Sequence, residues 1–220
     1  MPFLAQKRAG LLAALLLTLT VAACGMAGGQ AGAAQPSARQ LRPVPGCEGC
    51  EAAWERDVAT LGSSIRLGPP GEPGEPLLLT GTVRQPDGRT PAAGVVVYVY
   101  HTNAAGLYAD GSSESAWSRR HGRLRGWLMT GVDGRYAVRT VKPGQYPDGR
   151  EPAHIHLTLL EPGRDPYYID DVVFAGEPGV DAPYRAERRD RGGSGILTLA
   201  RAPDGGWIAE RDILLERRPM

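Results

Sequence analysis

The 220-residue chain has almost no net charge: 25 Lys and Arg stand against 24 Asp and Glu. Without residues 1–23, whose charged residues are Lys7 and Arg8, 23 basic groups face 24 acidic ones. That balance gives no electrostatic case for nucleic acid as a partner, and Arg188-Arg189-Asp190-Arg191 reads as a solvated loop. Internal repeats and β/α alternation are both missing, which excludes a solenoid and a parallel doubly wound sheet. Cysteine is scarce, with three residues, so a disulfide-dense scaffold is excluded. A structural zinc site at Cys47-Glu48-Gly49-Cys50 would need two more ligands, and the neighbourhood offers none.

One long apolar run is present, Ala9 to Ala23. It is shorter than the ~20 residues of a membrane span and follows a positive start at Lys7-Arg8, the pattern of a signal segment. It ends in Val21-Ala22-Ala23-Cys24-Gly25. Small residues directly before a cysteine fit a lipoprotein signal over residues 1–23, with lipidation of Cys24; ordinary signal cleavage nearby is the other reading. Lipidation makes the protein an exported, membrane-anchored lipoprotein on a periplasmic or extracellular face, held by several acyl chains. Residues 24–46, rich in Gly, Ala, Gln, Ser and Pro, form a flexible tether. Export implies an oxidising compartment, where Cys47 and Cys50 pair as a local disulfide in an N-terminal extension over 47–75. A redox-active Cys-x-x-Cys is the competing reading, but it lacks the βαβ context such motifs favour. The bridge is expected to lie away from any reactive centre, and Glu51–Leu61 is expected to form a short helix.

From Pro76 onward, over 76–220, short alternating segments are separated by Pro86-Asp87-Gly88, Val132-Asp133-Gly134, Pro147-Asp148-Gly149 and Pro203-Asp204-Gly205. The expected strands are 77–84, 94–101, 124–130, 135–141, 153–160, 167–174, 195–200 and 207–215. The fold class is therefore all-β, an antiparallel β-sandwich.

The segment Pro152-Ala153-His154-Ile155-His156-Leu157-Thr158-Leu159 carries the most chemistry. Period-two alternation puts His154 and His156 on one face and Ile155, Leu157 and Leu159 on the other. Two imidazoles aimed into one space suit a cation between them, although two solvent-facing histidines on an edge strand would show the same spacing. Tyr146, within Pro143-Gly144-Gln145-Tyr146-Pro147, precedes His154 by eight positions, and Tyr108 precedes Tyr146 by 38. Both tyrosines adjoin glycine- and proline-rich loops, where half-buried rim aromatics are also common. His101 and His121 read as surface, core or supporting residues.

The order Tyr, Tyr, His-x-His resembles the intradiol ring-cleavage dioxygenases. So do Gly81-Thr82-Val83, Tyr100-His101-Thr102-Asn103, Gly106-Leu107-Tyr108, Arg125-Gly126-Trp127, Asp133-Gly134-Arg135-Tyr136 and Phe174-Ala175-Gly176-Glu177-Pro178. The resemblance implies that Tyr108, Tyr146, His154 and His156 ligate a non-haem Fe(III). It further implies that Tyr146 leaves the metal to accept a proton from a small catechol-type substrate, and that O2 cleaves the ring to a muconate-type diacid. The chemistry is coherent, because phenolate is a hard anionic donor for a hard trivalent cation, which lowers the phenol pKa.

Two positions depart from the family pattern. Glu151 stands where the family carries an arginine, with Arg150 one residue earlier as the candidate catalytic cation. Asp171 stands where the family carries a glutamine. Both changes add negative charge, so an uncharged catechol is expected to be preferred over a catechol carboxylate. A non-catalytic lipoprotein sandwich that binds an aromatic ligand or a surface partner is the alternative reading, as is a zinc hydrolase using the two histidines. The sequence sets no oligomeric state.

Overall fold

The computed structural model describes residues 43–109 and 115–217. The signal segment, Cys24 and tether residues 25–42 lie outside the described residues. Among the described residues no helix is long and apolar enough to cross a membrane.

Among the described residues twelve strands form two sheets. They are β1 (Ser64–Arg66), β2 (Pro76–Arg84), β3 (Val96–His101), β4 (Arg125–Met129), β5 (Arg135–Val141), β6 (His154–Leu160), β7 (Tyr167–Tyr168), β8 (Val172–Phe174), β9 (Ile196–Leu197), β10 (Ala200–Arg201), β11 (Trp207–Glu210) and β12 (Ile213–Leu214). The first sheet runs β1-β5-β2-β11-β10, with β12 also on β2; the second runs β4-β3-β6-β8-β9, with β7 on β6. The all-β sandwich agrees with the sequence. It is not purely antiparallel, however: β1–β5, β2–β11, β2–β12 and β8–β9 pair in parallel. None of these four pairs is joined by a hairpin, so no tight turn dictates an antiparallel direction.

Expected strands 167–174, 195–200 and 207–215 each break in two. Asp170 and the buried Arg211 lie at two of these breaks. The Arg211 guanidinium donates to the carbonyls of Ser194, Arg191 and Asp212.

The core lies between the sheets, built from residues such as Leu79, Val83, Val97, Leu128, Val138, Ile155, Leu157 and Phe174. Alternation along β3 sends Val97 and Val99 into that core. Val96 and Tyr98 point to the outer face, where they meet Trp127 and the N-terminal Ala52 and Ala53. The N-terminal segment therefore roofs the outer face of the second sheet. Its expected continuous helix is instead two 3₁₀ turns, Cys50–Trp54 and Val58–Thr60. Asp57 sits between them in an extended conformation and caps the second turn through its carboxylate, which accepts from the Ala59 amide. Trp127 Nε1 donates to the Ala52 carbonyl and holds the first turn against the sheet. The buried pair Arg125–Glu55 does the same from β4, with Arg125 lying over the Trp127 ring.

Two short helices were not evident in the sequence, α1 (Ala116–His121) and α2 (Ala182–Ala186). In α1, Ser115 and Ser118 exchange side-chain and backbone hydrogen bonds as a reciprocal cap. A serine in place of the usual glutamate at the third helical position hid that signal.

Candidate metal centre

Strand β6 presents its two histidines on the outer face of the second sheet, at the end the N-terminal roof leaves partly open. Register fixes them: His156 lies opposite Tyr100 on β3, and His154 lies opposite Val173 on β8. Because β6 is paired on both sides, the backbone that carries both imidazoles is held within the sheet.

The tyrosines come from loops. Tyr108 follows the turn Asn103–Leu107, where the Asn103 carboxamide accepts from the Ala105 and Leu107 amides. Tyr146 opens a turn closed by the Gly149 amide on its carbonyl, 2.9 Å away. The two loops lie back to back at Gly106, whose φ is +76° and where a Cβ would fall 1.8 Å from the Gln145 carbonyl oxygen. Only glycine permits that approach.

Four donor atoms converge. Tyr108 Oη lies 2.7 Å from Tyr146 Oη and 2.9 Å from His156 Nε2. Tyr146 Oη is 3.3 Å from His154 Nε2, and the two Nε2 atoms are 3.0 Å apart. Each histidine has its other nitrogen engaged. His154 Nδ1 donates to the Pro152 carbonyl at 2.7 Å, and His156 Nδ1 donates to Asp171 Oδ1 at 3.0 Å. Both protons are thereby placed on Nδ1, so both Nε2 lone pairs face the same point and cannot bond to each other. Such an arrangement calls for a cation or for protons from the phenols. Burial holds both tyrosine hydroxyls above their ordinary pKa and His154 below its own. A bound cation reverses the first effect, so metal binding would release the phenolic protons. Two imidazole nitrogens and two phenol oxygens fit a hard trivalent metal.

Asp171 also lies within 4.8 Å of the histidine nitrogens. It approaches His156 from the Nδ1 side, opposite the shared point, and so orients a ligand rather than completing the set. Asp171 arrives from the segment between β7 and β8, not from β6 itself.

The structure does not bring Arg150 into the cluster. It pairs with Asp148 at 3.5 Å in the exposed turn after Tyr146, and its amide donates to the same carboxylate. Cys47 and Cys50 are joined by a disulfide. It does not lie away from the cluster, because Glu48 within its loop lines a cavity of about 300 Å³ together with Tyr108, Tyr146 and His156. His101 is buried, between the Thr102 carbonyl and Thr140 Oγ1. His121 is buried too and lines the cavity; its Nδ1 meets Tyr98 Oη at 2.7 Å, and its ring stacks on Tyr100 at 3.8 Å. Tyr100 stacks in turn on His156 at 4.4 Å. Glu48, Arg120, His121 and Tyr100 were not singled out as site residues in the sequence, since only the fold brings the cysteine loop and α1 to this face.

A family described as Dioxygenase matches residues 57–192. Catechol 1,2-dioxygenase 1 of Acinetobacter lwoffii is 37% identical over 48% of this chain and 42% of its own length. Hydroxyquinol 1,2-dioxygenase of Rhizobium sp. (strain MTP-10005) is 30% identical over 66% of this chain and 56% of its own. The chain thus spans about half the length of these curated relatives. Among solved structures, the dioxygenase domain of a dioxygenase and carbohydrate-binding protein fusion from Streptomyces sp. SirexAA-E aligns with TM-score 0.54 and 26% identity, covering 71% of this chain and 90% of that one. Catechol 1,2-dioxygenase from Acinetobacter sp. ADP1 aligns with TM-score 0.52 and 22% identity over 70% of this chain and 57% of that one, a likeness of fold.

Proposed function

Since the chain belongs to the intradiol ring-cleavage dioxygenase family, we propose that it binds a non-haem ferric ion through Tyr108, Tyr146, His154 and His156 and cleaves a catechol-type ring with O2. The reaction adds both oxygen atoms and yields a muconate-type diacid. The observation that carries this reading is the convergence of two phenol oxygens with two Nε2 atoms whose partner nitrogens are both occupied.

A ferric ion held by Tyr108, Tyr146, His154 and His156 would supply Lewis acidity toward the catechol oxygens. The protein's part is divided. His154 and His156 hold position through β6, the Pro152 carbonyl and Asp171. Tyr108 lies between Tyr146 and His156 and keeps the site polar at its centre. Tyr146 is half-buried at the head of an exposed turn, so it is the donor free to swing out and accept a substrate proton at its Oη. The cavity beside the cluster has room for one small aromatic ring.

We also propose that the protein is exported and anchored through lipidated Cys24. The Val21-Ala22-Ala23-Cys24 segment and a Cys47–Cys50 bridge suited to an oxidising compartment support this. Mass spectrometry of Cys24 together with membrane fractionation tests it.

The catalytic reading is tested by loading the protein with iron, supplying catechol and following O2 uptake and diacid formation. Coloured protein that bleaches in Tyr108→Phe is expected, since ligand-to-metal absorption needs the phenolate. Zinc in place of iron, or bound iron without turnover of any catechol, would overturn it.

A further inference from the structure

The cavity lined by Tyr108, Tyr146 and His156 takes the rest of its wall largely from two elements that the sandwich does not require: the Cys47–Cys50 loop and α1. They are fitted to each other. Gly49 has φ +86°, and a Cβ there would lie 3.1 Å from His121 Cε1 and 3.4 Å from the Trp117 ring. The disulfide closes the loop at that point, and the buried Cys50 begins the 3₁₀ turn that Trp127 pins to the second sheet. The loop thus projects Glu48 over the cavity, where its Oε1 accepts from Arg120 NH1 at 2.5 Å. The Arg120 guanidinium also lies over the Trp117 ring, 5.4 Å from its centroid.

Charge at this mouth is simple. Among the described lining residues Arg120 is the one permanent cation, and Glu48 occupies it. His121 adds no positive charge near neutral pH, because burial and the neighbouring Arg125 hold its imidazole at about 3. Behind His156 stands the Asp171 carboxylate. Glu151, which the sequence suggested as the acidic selector, is exposed and outside the described lining.

We propose that the disulfide-held Glu48 is the specificity-determining residue of the pocket: it ties up Arg120 across the mouth and disfavours substrates that carry a carboxylate. The inference rests on the catechol reading given above and names its substrate class as uncharged catechols. An anionic ring meets Glu48 and finds no free cation. Removing Glu48 leaves Arg120 beside the cavity, able to receive a carboxylate in the geometry guanidinium favours.

Two ligands with a single hydroxyl, and therefore not cleavable as catechols, separate binding from turnover: 4-methylphenol and 4-hydroxybenzoate, which differ chiefly in charge. Their dissociation constants for the iron-loaded full chain are measured by calorimetry. The wild type should favour 4-methylphenol. Glu48→Gln should shift the ratio at least about tenfold toward 4-hydroxybenzoate, the size of one charge contact near a protein surface. Adding Arg120→Gln to that variant should cancel the shift. Replacing both Cys47 and Cys50 by serine should move the ratio in the same direction as Glu48→Gln by a smaller factor, because the loop then holds Glu48 less firmly. A ratio that stays within about twofold in Glu48→Gln overturns the proposal. A shift that survives Arg120→Gln overturns Arg120 as the receiver. Should neither phenol bind the iron-loaded wild type, the catechol reading falls and this inference with it; a pocket that binds both phenols without discrimination sinks only the inference.

Discussion

The two halves of the candidate centre are built differently. His154 and His156 stand on β6, which pairs with β3 on one side and with β7 and β8 on the other. Tyr108 and Tyr146 hang from turns held to each other at Gly106 and Gln145. The strand side has its tautomers set by the Pro152 carbonyl and Asp171 and its backbone held in the sheet. The loop side is half-buried and rests on turns rather than on a strand ladder. The contrast matches the proposed division of labour, in which two nitrogen ligands hold a metal through the reaction and one phenol exchanges places with substrate.

The sharpest way to break this comparison is to remove one donor from each side. His156→Ala should lose iron outright, a larger effect than the ~10–100-fold cost of losing a group that merely supports a ligand. Tyr146→Phe should retain iron while turnover collapses, because three donors remain and only the exchangeable one is gone. Iron content by elemental analysis, read beside O2 uptake, decides the matter. Equal loss of iron from both variants would mean that the loop side is as structural as the strand side.

Acid should act next most strongly, at the joint between the sides. His101 ends β3, and its Nε2 accepts from Thr140 Oγ1 on β5, so it links the two sheets. Its Nδ1 donates to the carbonyl of Thr102, the residue that anchors the tyrosine loops. Burial holds the folded pKa at about 4, against the ordinary 6.5. The unfolded chain therefore takes up the proton first, and stability falls as pH drops from about 6.5 to about 4, by roughly 3 kcal/mol for this group. His121, also depressed by burial, adds to the loss in the same direction. Urea denaturation of the metal-free protein between pH 7 and pH 4 should show the fall, with little change above pH 7 from either group. A flat profile would remove His101 as a buried neutral joint.

Legibility in the sequence divided along the same line. The histidine pair and the inner face of β6 followed from period-two alternation alone, and β5 matches its expected limits of Arg135–Val141. The phenols carried no periodic signal, since loop residues have no repeating face, so Tyr108 and Tyr146 came into view only through family resemblance. Arg150 was misplaced for a related reason. The resemblance suggested it, as the cation one residue before the position of the family arginine, but the turn after Tyr146 directs it to Asp148 and solvent. Parallel pairing of β1 with β5 and the roofing of the second sheet by Cys50–Trp54 depend on contacts between residues 73 to 75 positions apart, which no local pattern encodes.

The strand side has an asymmetry of its own that a third substitution sharpens. His154 is oriented by a backbone carbonyl, which no side-chain change removes, whereas His156 depends on the Asp171 carboxylate. Asp171→Leu should lower metal affinity by ~10–100-fold. Asp171→Asn should cost less, because a carboxamide oxygen can still accept from Nδ1. If leucine and asparagine behave alike, the charge of Asp171, rather than its hydrogen bond to His156, is what matters.

The smallest effect should come from loosening the loop side without touching a donor. Thr102 Oγ1 donates to the Gly144 carbonyl at 2.9 Å, and the Gly144 amide donates to the Asn103 carbonyl at the same distance. These two bonds tie the segment leading to Tyr146 onto the segment leading to Tyr108. Thr102→Val keeps shape and burial and deletes the first bond, at a net cost of about 1 kcal/mol with the Gly144 carbonyl left to find another partner. Global stability should fall by that amount and iron content should stay unchanged, since no ligand is altered. Turnover is the informative readout. Where loop mobility limits exchange of Tyr146, kcat changes while KM for an uncharged catechol holds. If instead KM rises and kcat holds, the Thr102–Gly144 tie shapes the cavity rather than the motion of the phenol, and the loop side is rigid in the way the strand side is.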